Sequence, residues 1–162
     1  MMNYANDLTG LLPLDQLLQL SGLEFMQKML AGELPAPPIS QTMGYRLHKV
    51  SEGHAEFRGA PSFHMTNPMG TVHGGWYGTL LDSSMACAVM TCVPKGSLYT
   101  TLEYKVNMIR PIPLDMEIIC TATADHVGRS TAVAHGDIRG LEDGRLYATG
   151  STTCIVMKMS KD

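Results

Sequence analysis

The sequence has few charged side chains, few aromatic ones and no long apolar run. Charged residues make up 17% and aromatic residues 6% of the 162 residues. No stretch reaches the roughly 18 apolar residues that a membrane-spanning helix needs. The formal net charge is −3, so the basic surplus of a nucleic-acid-binding protein is missing. No basic segment precedes an apolar run at the start, as a signal peptide would require. The sequence therefore predicts no nucleic-acid partner, no membrane span and a cytoplasmic location.

Cysteine is also scarce, and its spacing excludes two classes of site. The four cysteines are Cys87, Cys92, Cys120 and Cys154, and no two of them form a CxxC pair. A zinc site would need paired thiolates or histidines at short intervals, and a disulfide framework would need a denser set. We expect reduced thiols that pack as small apolar groups. The sequence predicts no metal and no cofactor.

The apolar content is high enough for one compact core. Hydrophobic residues make up 44% of the chain, whose length corresponds to about one domain. Residues 11–34 carry apolar side chains at helical spacing, with Ser21 and Gly22 as a break and N-cap between two short helices. A proline cluster at 35–38 ends this segment. We expect residues 1–38 to form a helical preface that packs on a main domain of residues 39–162.

The residue pattern of the main domain predicts an antiparallel sheet with one long helix. Alternating residues predict a hairpin of strands 45–50 and 54–58, and residues 60–71 form a loop. A helix is expected over 74–91, followed by strands over 98–109, 116–125, 130–141 and 146–159. The helix is apolar on nearly every side, so it must be buried all round. A strongly curved sheet wrapped around one central helix meets that need, which predicts an α+β hotdog fold.

Two positions on the central helix are the main chemical candidates. Gly74 and Gly75 begin the helix, where the first amides have no intrahelical partner and the helix dipole favours negative charge. Glycine also lets a substrate carbonyl approach the backbone closely. Asp82 stands in the middle of a helix that leaves little solvated surface, and a buried aspartate needs partners or a function. A carboxylate there could attack an acyl carbonyl or deprotonate a water.

The spacing of these candidates predicts a shared site. Gly74 and Asp82 are eight residues apart, which corresponds to about 12 Å along one helix. One small carbonyl cannot touch both groups in the same chain. A catalytic arrangement therefore requires Gly74 from one subunit and Asp82 from another. We expect a homodimer at least, and a pair of dimers, a homotetramer, as the larger assembly.

Other side chains are weaker candidates with plain structural alternatives. His73 stands at the helix start, where an orienting role is favoured over a role as base. Asn67 could donate to a carbonyl or simply shape the turn before Pro68. Thr100 and Thr101 could position a water or reflect only β-propensity. The thirteen methionines are expected to fill core gaps and to pad an apolar acyl tunnel.

At these residues the sequence resembles the hotdog-fold acyl-CoA thioesterases of the phenylacetic-acid-degradation (PaaI) type. The resemblance covers about residues 22–156. It rests on Asn67-x-x-Gly70-x-Val72-His73-Gly74-Gly75, Leu80-Leu81-Asp82-Ser83, Thr101, and Asn107-Met108-Ile109-Arg110-Pro111. The spacing from His-Gly-Gly to the aspartate is the specific part of this pattern.

The resemblance implies roles for the residues at each end of the helix. Asp82 would be the nucleophile or general base. The Gly74 N–H would polarise the thioester carbonyl, and Asn67 and His73 would orient that end of the site.

It also implies residues that contact water and substrate. Thr101, or Thr100 in a register one residue away, would hold the water. Gly75 would lie against the substrate. Arg110 and Arg129 would contact the CoA phosphates, which suit the donor fork of arginine.

The expected activity is hydrolysis of aryl or medium-chain acyl-CoA to the free acid and CoA, and the acyl group itself stays open. A non-catalytic acyl-CoA-binding module acting as a sensor is the alternative. A hotdog hydratase would place an Asp/His pair in one strand-to-helix loop, whereas Asp82 stands inside the helix.

Overall fold

A computed structural model describes residues 3–159 of the chain. Its helices are α1 (Leu14–Leu17), α2 (Gly22–Ala31), α3 (Pro38–Thr42) and α4 (Gly74–Met90), and short 3-10 turns span Leu8–Gly10 and Phe63–Met65. Its strands are β1 (Tyr45–Ser51), β2 (His54–Gly59), β3 (Ser97–Met108), β4 (Ile118–Val127), β5 (Thr131–Gly140) and β6 (Leu146–Lys158). Residues 1 and 2 of the predicted preface and residues 160–162 of the predicted main domain lie outside the described residues.

The six strands form one antiparallel sheet in the order β1-β2-β4-β5-β6-β3. The β1–β2 hairpin turns at Gly53, whose φ of 70° lies in the left-handed region that favours glycine. Strand β3 follows α4 in the chain and pairs with β6, so it forms one edge of the sheet. The hotdog fold expected from the sequence is confirmed.

Helix α4 lies in the concave face of the sheet and contacts all six strands. Its side chains Leu80, Leu81, Met85 and Val89 are completely buried. Burial of each such side chain contributes roughly 1.5–3 kcal/mol. Helix α4 is therefore apolar on nearly every side because the curved sheet buries it, as the sequence predicted.

The N-terminal preface packs on the main domain through α2. Ser21 and Glu24 form a reciprocal capping box at the start of this helix, and Gly32 ends it in the left-handed conformation. Met26 and Met29 are buried in the common core. A side chain at Gly22 would clash with the Met90 carbonyl at the end of α4. The predicted helix break and N-cap are confirmed.

Two local features differ from the expectation. The proline cluster does more than end the preface, because α3 begins at Pro38, a residue whose fixed φ suits the first helical position. The loop over 60–71 also contains a 3-10 turn at Phe63–Met65. The boundary expected after residue 38 falls inside α3, and the division into two parts stays a prediction.

Candidate active site

The start of α4 presents a backbone donor that has no acceptor among residues 3–159. His73 is the N-cap, and its Nδ1 accepts the Gly75 N–H at 2.8 Å. The Trp76 N–H donates to the His73 carbonyl at 2.9 Å. Within residues 3–159 the Gly74 N–H has no hydrogen-bond acceptor. The Gly75 amide is thus engaged, and the Gly74 amide is available to an incoming oxygen.

Asn67 is occupied by its own loop. Its Oδ1 accepts the N–H groups of Met69 at 2.9 Å and Thr71 at 3.3 Å, and its Nδ2 donates to Thr71 Oγ1 at 2.8 Å. These contacts fix the loop that leads into His73. The second N–H of the Asn67 amide has no acceptor in the described residues, so its two predicted roles, shaping the turn and donating to a carbonyl, both stay predictions.

Asp82 is half-buried and lies beside strand β3. The Thr101 hydroxyl donates to Asp82 Oδ1 at 3.0 Å. The other carboxylate oxygen makes no hydrogen bond within the described part of the chain. Thr100 is exposed because successive strand residues point to opposite faces, although it reaches the rim of the nearby cavity. The structure thus places Thr101, and not Thr100, on the carboxylate.

A cavity of about 410 Å³ opens next to Asp82. Asp82, Ser83 and Cys87 of α4 form one wall, and Tyr99 of β3 forms another. Four residues of the preface and α3 also line it, which are Met29, Ala36, Pro37 and Ser40. Apolar surface with a few polar groups is the usual lining of a small-molecule site.

Sequence reasoning missed a polar pair in this cavity. The Tyr45 hydroxyl lies 2.9 Å from Ser83 Oγ, and the Thr79 carbonyl lies 3.4 Å from the same hydroxyl. Burial raises the pKa of Tyr45 to about 12, so the phenol stays protonated near neutral pH. Ser83 adjoins Asp82 in the sequence, but 38 residues separate it from Tyr45. No linear pattern could have paired them.

Burial disfavours the thiolate form of Cys87 in the same wall. Burial raises its pKa to about 12, with a further contribution from the charge of Asp82. Only the thiolate is strongly nucleophilic, and a pKa this high leaves almost none of it at neutral pH. Cys87 therefore lines the cavity as a small apolar group, as the sequence predicted.

The two predicted ends of the site lie on one stripe of α4. Gly74, Gly78 and Asp82 are spaced by four residues and share a helix face. A Cβ on Gly74 would lie 3.2 Å from Met108 Sδ, and one on Gly78 would lie 3.3 Å from the Tyr104 hydroxyl. Strand β3 therefore lies directly along this stripe. Gly74 and Asp82 stay about 12 Å apart in one chain, as their spacing on the helix requires.

The two arginines lie away from the Asp82 cavity. Arg110 is exposed and donates through Nη1 to the Leu146 carbonyl at 2.6 Å. Arg129 is exposed at the turn between β4 and β5. Neither lines the cavity next to Asp82, and their expected contact with CoA phosphates stays a prediction.

Residues 3–159 contain no group of three or more His, Cys, Asp or Glu side chains placed to hold a metal ion. Among the same residues, no helix is both long enough and apolar enough to cross a membrane.

Known proteins resemble this chain in sequence and in fold. Residues 69–147 match the model of the thioesterase superfamily. Acyl-coenzyme A thioesterase 13 of Mus musculus is 33% identical over 88 residues, which are 54% of this chain and 62% of the mouse protein. The human protein of the same name is 30% identical over a region of the same length. The match spans less than two thirds of these curated relatives.

Solved structures extend the likeness beyond that region. A phenylacetic-acid-degradation-related protein from Ralstonia eutropha superposes with a TM-score of 0.73 at 28% identity, over 81% of this chain and 98% of that one. A thioesterase protein from Streptococcus pneumoniae, solved with coenzyme A, gives a TM-score of 0.64 at 26% identity, over 72% of this chain and 89% of that one. These matches confirm the family resemblance that the motif predicted. The chain is thus similar to the thioesterase superfamily over residues 69–147, and it shares the hotdog fold of the phenylacetic-acid-degradation-related protein.

Proposed function

We propose that the protein hydrolyses acyl-CoA thioesters to the free acid and CoA. The observation that carries this proposal is the Asp82 carboxylate, which is held by Thr101 on the wall of an apolar cavity. Two kinds of relative support it. The curated ones are named acyl-coenzyme A thioesterases, and the Streptococcus pneumoniae structure contains coenzyme A.

The proposal includes a second copy of the chain, which would cover the free edge of the sheet. Strand β3 is twelve residues long and exposes Leu102, Tyr104 and Met108. A long, exposed apolar edge strand is a liability that proteins cover or pair. A second copy of β3 would pair with this edge and bury the same side chains. A homotetramer of two such dimers remains part of the proposal.

A two-fold axis near Gly78 would complete the chemistry. Gly78 stands midway between Gly74 and Asp82, and the absence of a side chain there lets Tyr104 of β3 pack against the helix. In a two-fold dimer the same surface patch serves both subunits. An axis that passes beside this point and relates the two β3 strands would bring Gly74 of one subunit toward Asp82 of the partner subunit. Each dimer would then hold two equivalent sites.

The reaction would proceed on groups that the two subunits already orient. The thioester carbonyl oxygen would accept the Gly74 N–H, which would stabilise the negative charge that develops on it. Asp82 of the partner subunit would attack the carbonyl carbon or take a proton from an attacking water. The C–S bond would then break, and the sulfur would leave as the CoA thiolate and take up a proton. In the water route this step gives the free acid directly, and in the direct-attack route water would next hydrolyse the acyl–Asp82 anhydride, which releases the acid and restores the carboxylate. Thr101 would fix one carboxylate oxygen and leave the other free to react.

The remaining predicted residues would position this machinery. His73 would hold the first turn of α4 through the Gly75 N–H, and Gly75 would leave room for the substrate. Asn67 would fix the preceding loop. Arg110 and Arg129 would meet the CoA phosphates at the surface.

Turnover and binding measured on the same samples test the proposal. Aryl-CoA and medium-chain acyl-CoA substrates should release free thiol, and release should persist after exhaustive chelation. Asp82→Asn keeps the size of the side chain but removes the charge that both proposed roles need. Its turnover should fall by about 10² or more, with near-normal acyl-CoA affinity. Asp137→Asn makes the same chemical change on β5, where Asp137 pairs with Arg139, and should leave turnover unchanged.

Three results would contradict parts of this scheme. Turnover of Asp82→Asn within about threefold of the parent protein would remove Asp82 from the reaction. Binding of acyl-CoA without turnover of any substrate would favour the sensor alternative. Loss of turnover on chelation, restored by zinc, would contradict a metal-free reaction.

A further inference from the structure

A second cavity of about 320 Å³ lies beneath the N-terminal preface. It shares wall residues with the Asp82 cavity, which are Met29, Pro37, Cys87 and Tyr99. The two spaces are therefore neighbours separated by a few side chains. Met29 is among these, and its unbranched, flexible side chain adapts readily to a neighbouring group.

The second cavity is lined by apolar side chains. Leu11, Leu17 and Phe25 of the preface form one side, and Met90 and Leu98 of the main domain form the other. Among the described lining residues none carries a charged side chain. A cavity lined in this way suits an apolar ligand.

We infer that the two cavities form one acyl channel, in which the preface walls the far chamber and selects straight acyl chains long enough to pass Met29 and Tyr99. This inference rests on the proposed function, because the near chamber holds Asp82. The preface lies outside residues 69–147, the region that matches the superfamily model. Chain-length selection is thus assigned to a part of the molecule outside the matched domain.

The cavity sizes set the expected length of the acyl chain. A water molecule occupies about 30 Å³ in the liquid, so the near chamber of about 410 Å³ holds roughly fourteen water-sized groups and the far chamber of about 320 Å³ roughly eleven. A methylene group is of similar size. The near chamber would hold the thioester with a short chain or an aryl group. Only a longer straight chain would reach the far chamber, where its buried methylenes would add to the binding affinity.

Binding of two non-hydrolysable substrate analogues tests the inference. The probes are S-octyl-CoA and S-hexadecyl-CoA, thioethers that cannot be cleaved, with Kd measured by calorimetry on the full chain. Leu17→Trp fills the far chamber from α1, where Leu17 is half-buried. Leu14→Trp is the matched control, because Leu14 lies on the same helix, is 51% exposed and lines neither cavity.

The parent protein should bind the hexadecyl thioether at least tenfold more tightly than the octyl thioether. Leu17→Trp should weaken hexadecyl binding by about tenfold or more and leave octyl binding within about twofold, since only the longer chain loses buried methylenes. Leu14→Trp should leave both affinities within about twofold of the parent protein. If Leu17→Trp does not fold, Leu11→Trp at the more exposed rim of the chamber replaces it, with the same expectation.

Several outcomes would overturn the inference. One is that the far-chamber variant weakens the binding of both thioethers equally, or of neither. Another is that Leu14→Trp has the same effect as the far-chamber variant. A third is that the parent protein binds the two thioethers with equal affinity. Absence of binding by either thioether would also overturn it. Turnover of octanoyl-CoA by the same sample would still leave the proposed hydrolysis standing, so the two failures can be told apart.

Discussion

The two ends of the active stretch of α4 are held in opposite ways. At its start, the exposed His73 takes the Gly75 N–H, and the Gly74 N–H is left without an acceptor in the described residues. Eight residues later, Asp82 is half-buried and already holds one hydrogen bond, from Thr101. One end offers a free donor, and the other offers a carboxylate oxygen that is free to act.

In the proposed scheme a single chain therefore carries two complementary halves of a site. The helix holds the two halves about 12 Å apart, because each residue advances the chain by about 1.5 Å. The proposal accordingly combines Gly74 of one subunit with Asp82 of the partner subunit. Three experiments test that comparison.

The largest effect is expected from removing the free donor. Gly74→Pro deletes the N–H at the first helical position, where proline is tolerated. His73 has φ −64° and ψ 138°, an extended conformation that suits the residue before proline. Loss of one oxyanion donor should lower kcat by about 10²–10³. Octanoyl-CoA turnover and the melting temperature are measured on one sample.

Gly74→Ala is the matched control, since it adds a Cβ but keeps the N–H. That Cβ would lie 3.2 Å from the Sδ atom of Met108, whose flexible side chain can move aside. Gly74→Ala should retain kcat within about tenfold of the parent protein. Equal loss in the two variants would mean that space, and not the donor, matters at this end.

A smaller effect, a gain in turnover, is expected when chains that carry the two different substitutions are mixed. Gly74→Pro and Asp82→Asn chains are each inactive in the proposed scheme, but a mixed dimer would contain one site with both groups intact. After subunit exchange of equal amounts, half of the dimers are mixed and half of their sites are intact, so about a quarter of the parent activity should return. Turnover is followed during the exchange. Mixed samples that remain inactive after demonstrated exchange would exclude a site shared between subunits.

The smallest effect is expected at the carboxylate end. Thr101→Val keeps the shape of the side chain but removes the hydroxyl that donates to Asp82. A hydrogen bond to a charged group contributes about 1.5–3 kcal/mol, so kcat should fall by about tenfold or more. Thr101→Ser restores the donor and should recover most of the rate, as measured by thiol release. Full activity in the valine variant would mean that Asp82 needs no such support.

Local patterns in the sequence were sufficient for most of the fold. The Ser21 capping box, the apolar helix α4 and the alternating strands depend on contacts between residues a few positions apart. The helix at Pro38 was missed because the same residue that ends one helix can begin another. The site was predicted as far as the helix positions Gly74 and Asp82. The sequence does not decide whether Thr100 or Thr101 contacts the carboxylate, because strand register depends on the packed sheet.

The sequence by itself determined the chemistry of the two ends of α4 and their separation, because helix geometry converts eight residues into a distance. Only the tertiary structure decided what surrounds them. It placed Thr101 on Asp82, paired Tyr45 with Ser83, and brought Met29 and Pro37 of the preface into the wall of the cavity. These contacts join segments far apart in the chain, and they follow from how the sheet curves around the helix and where the preface packs.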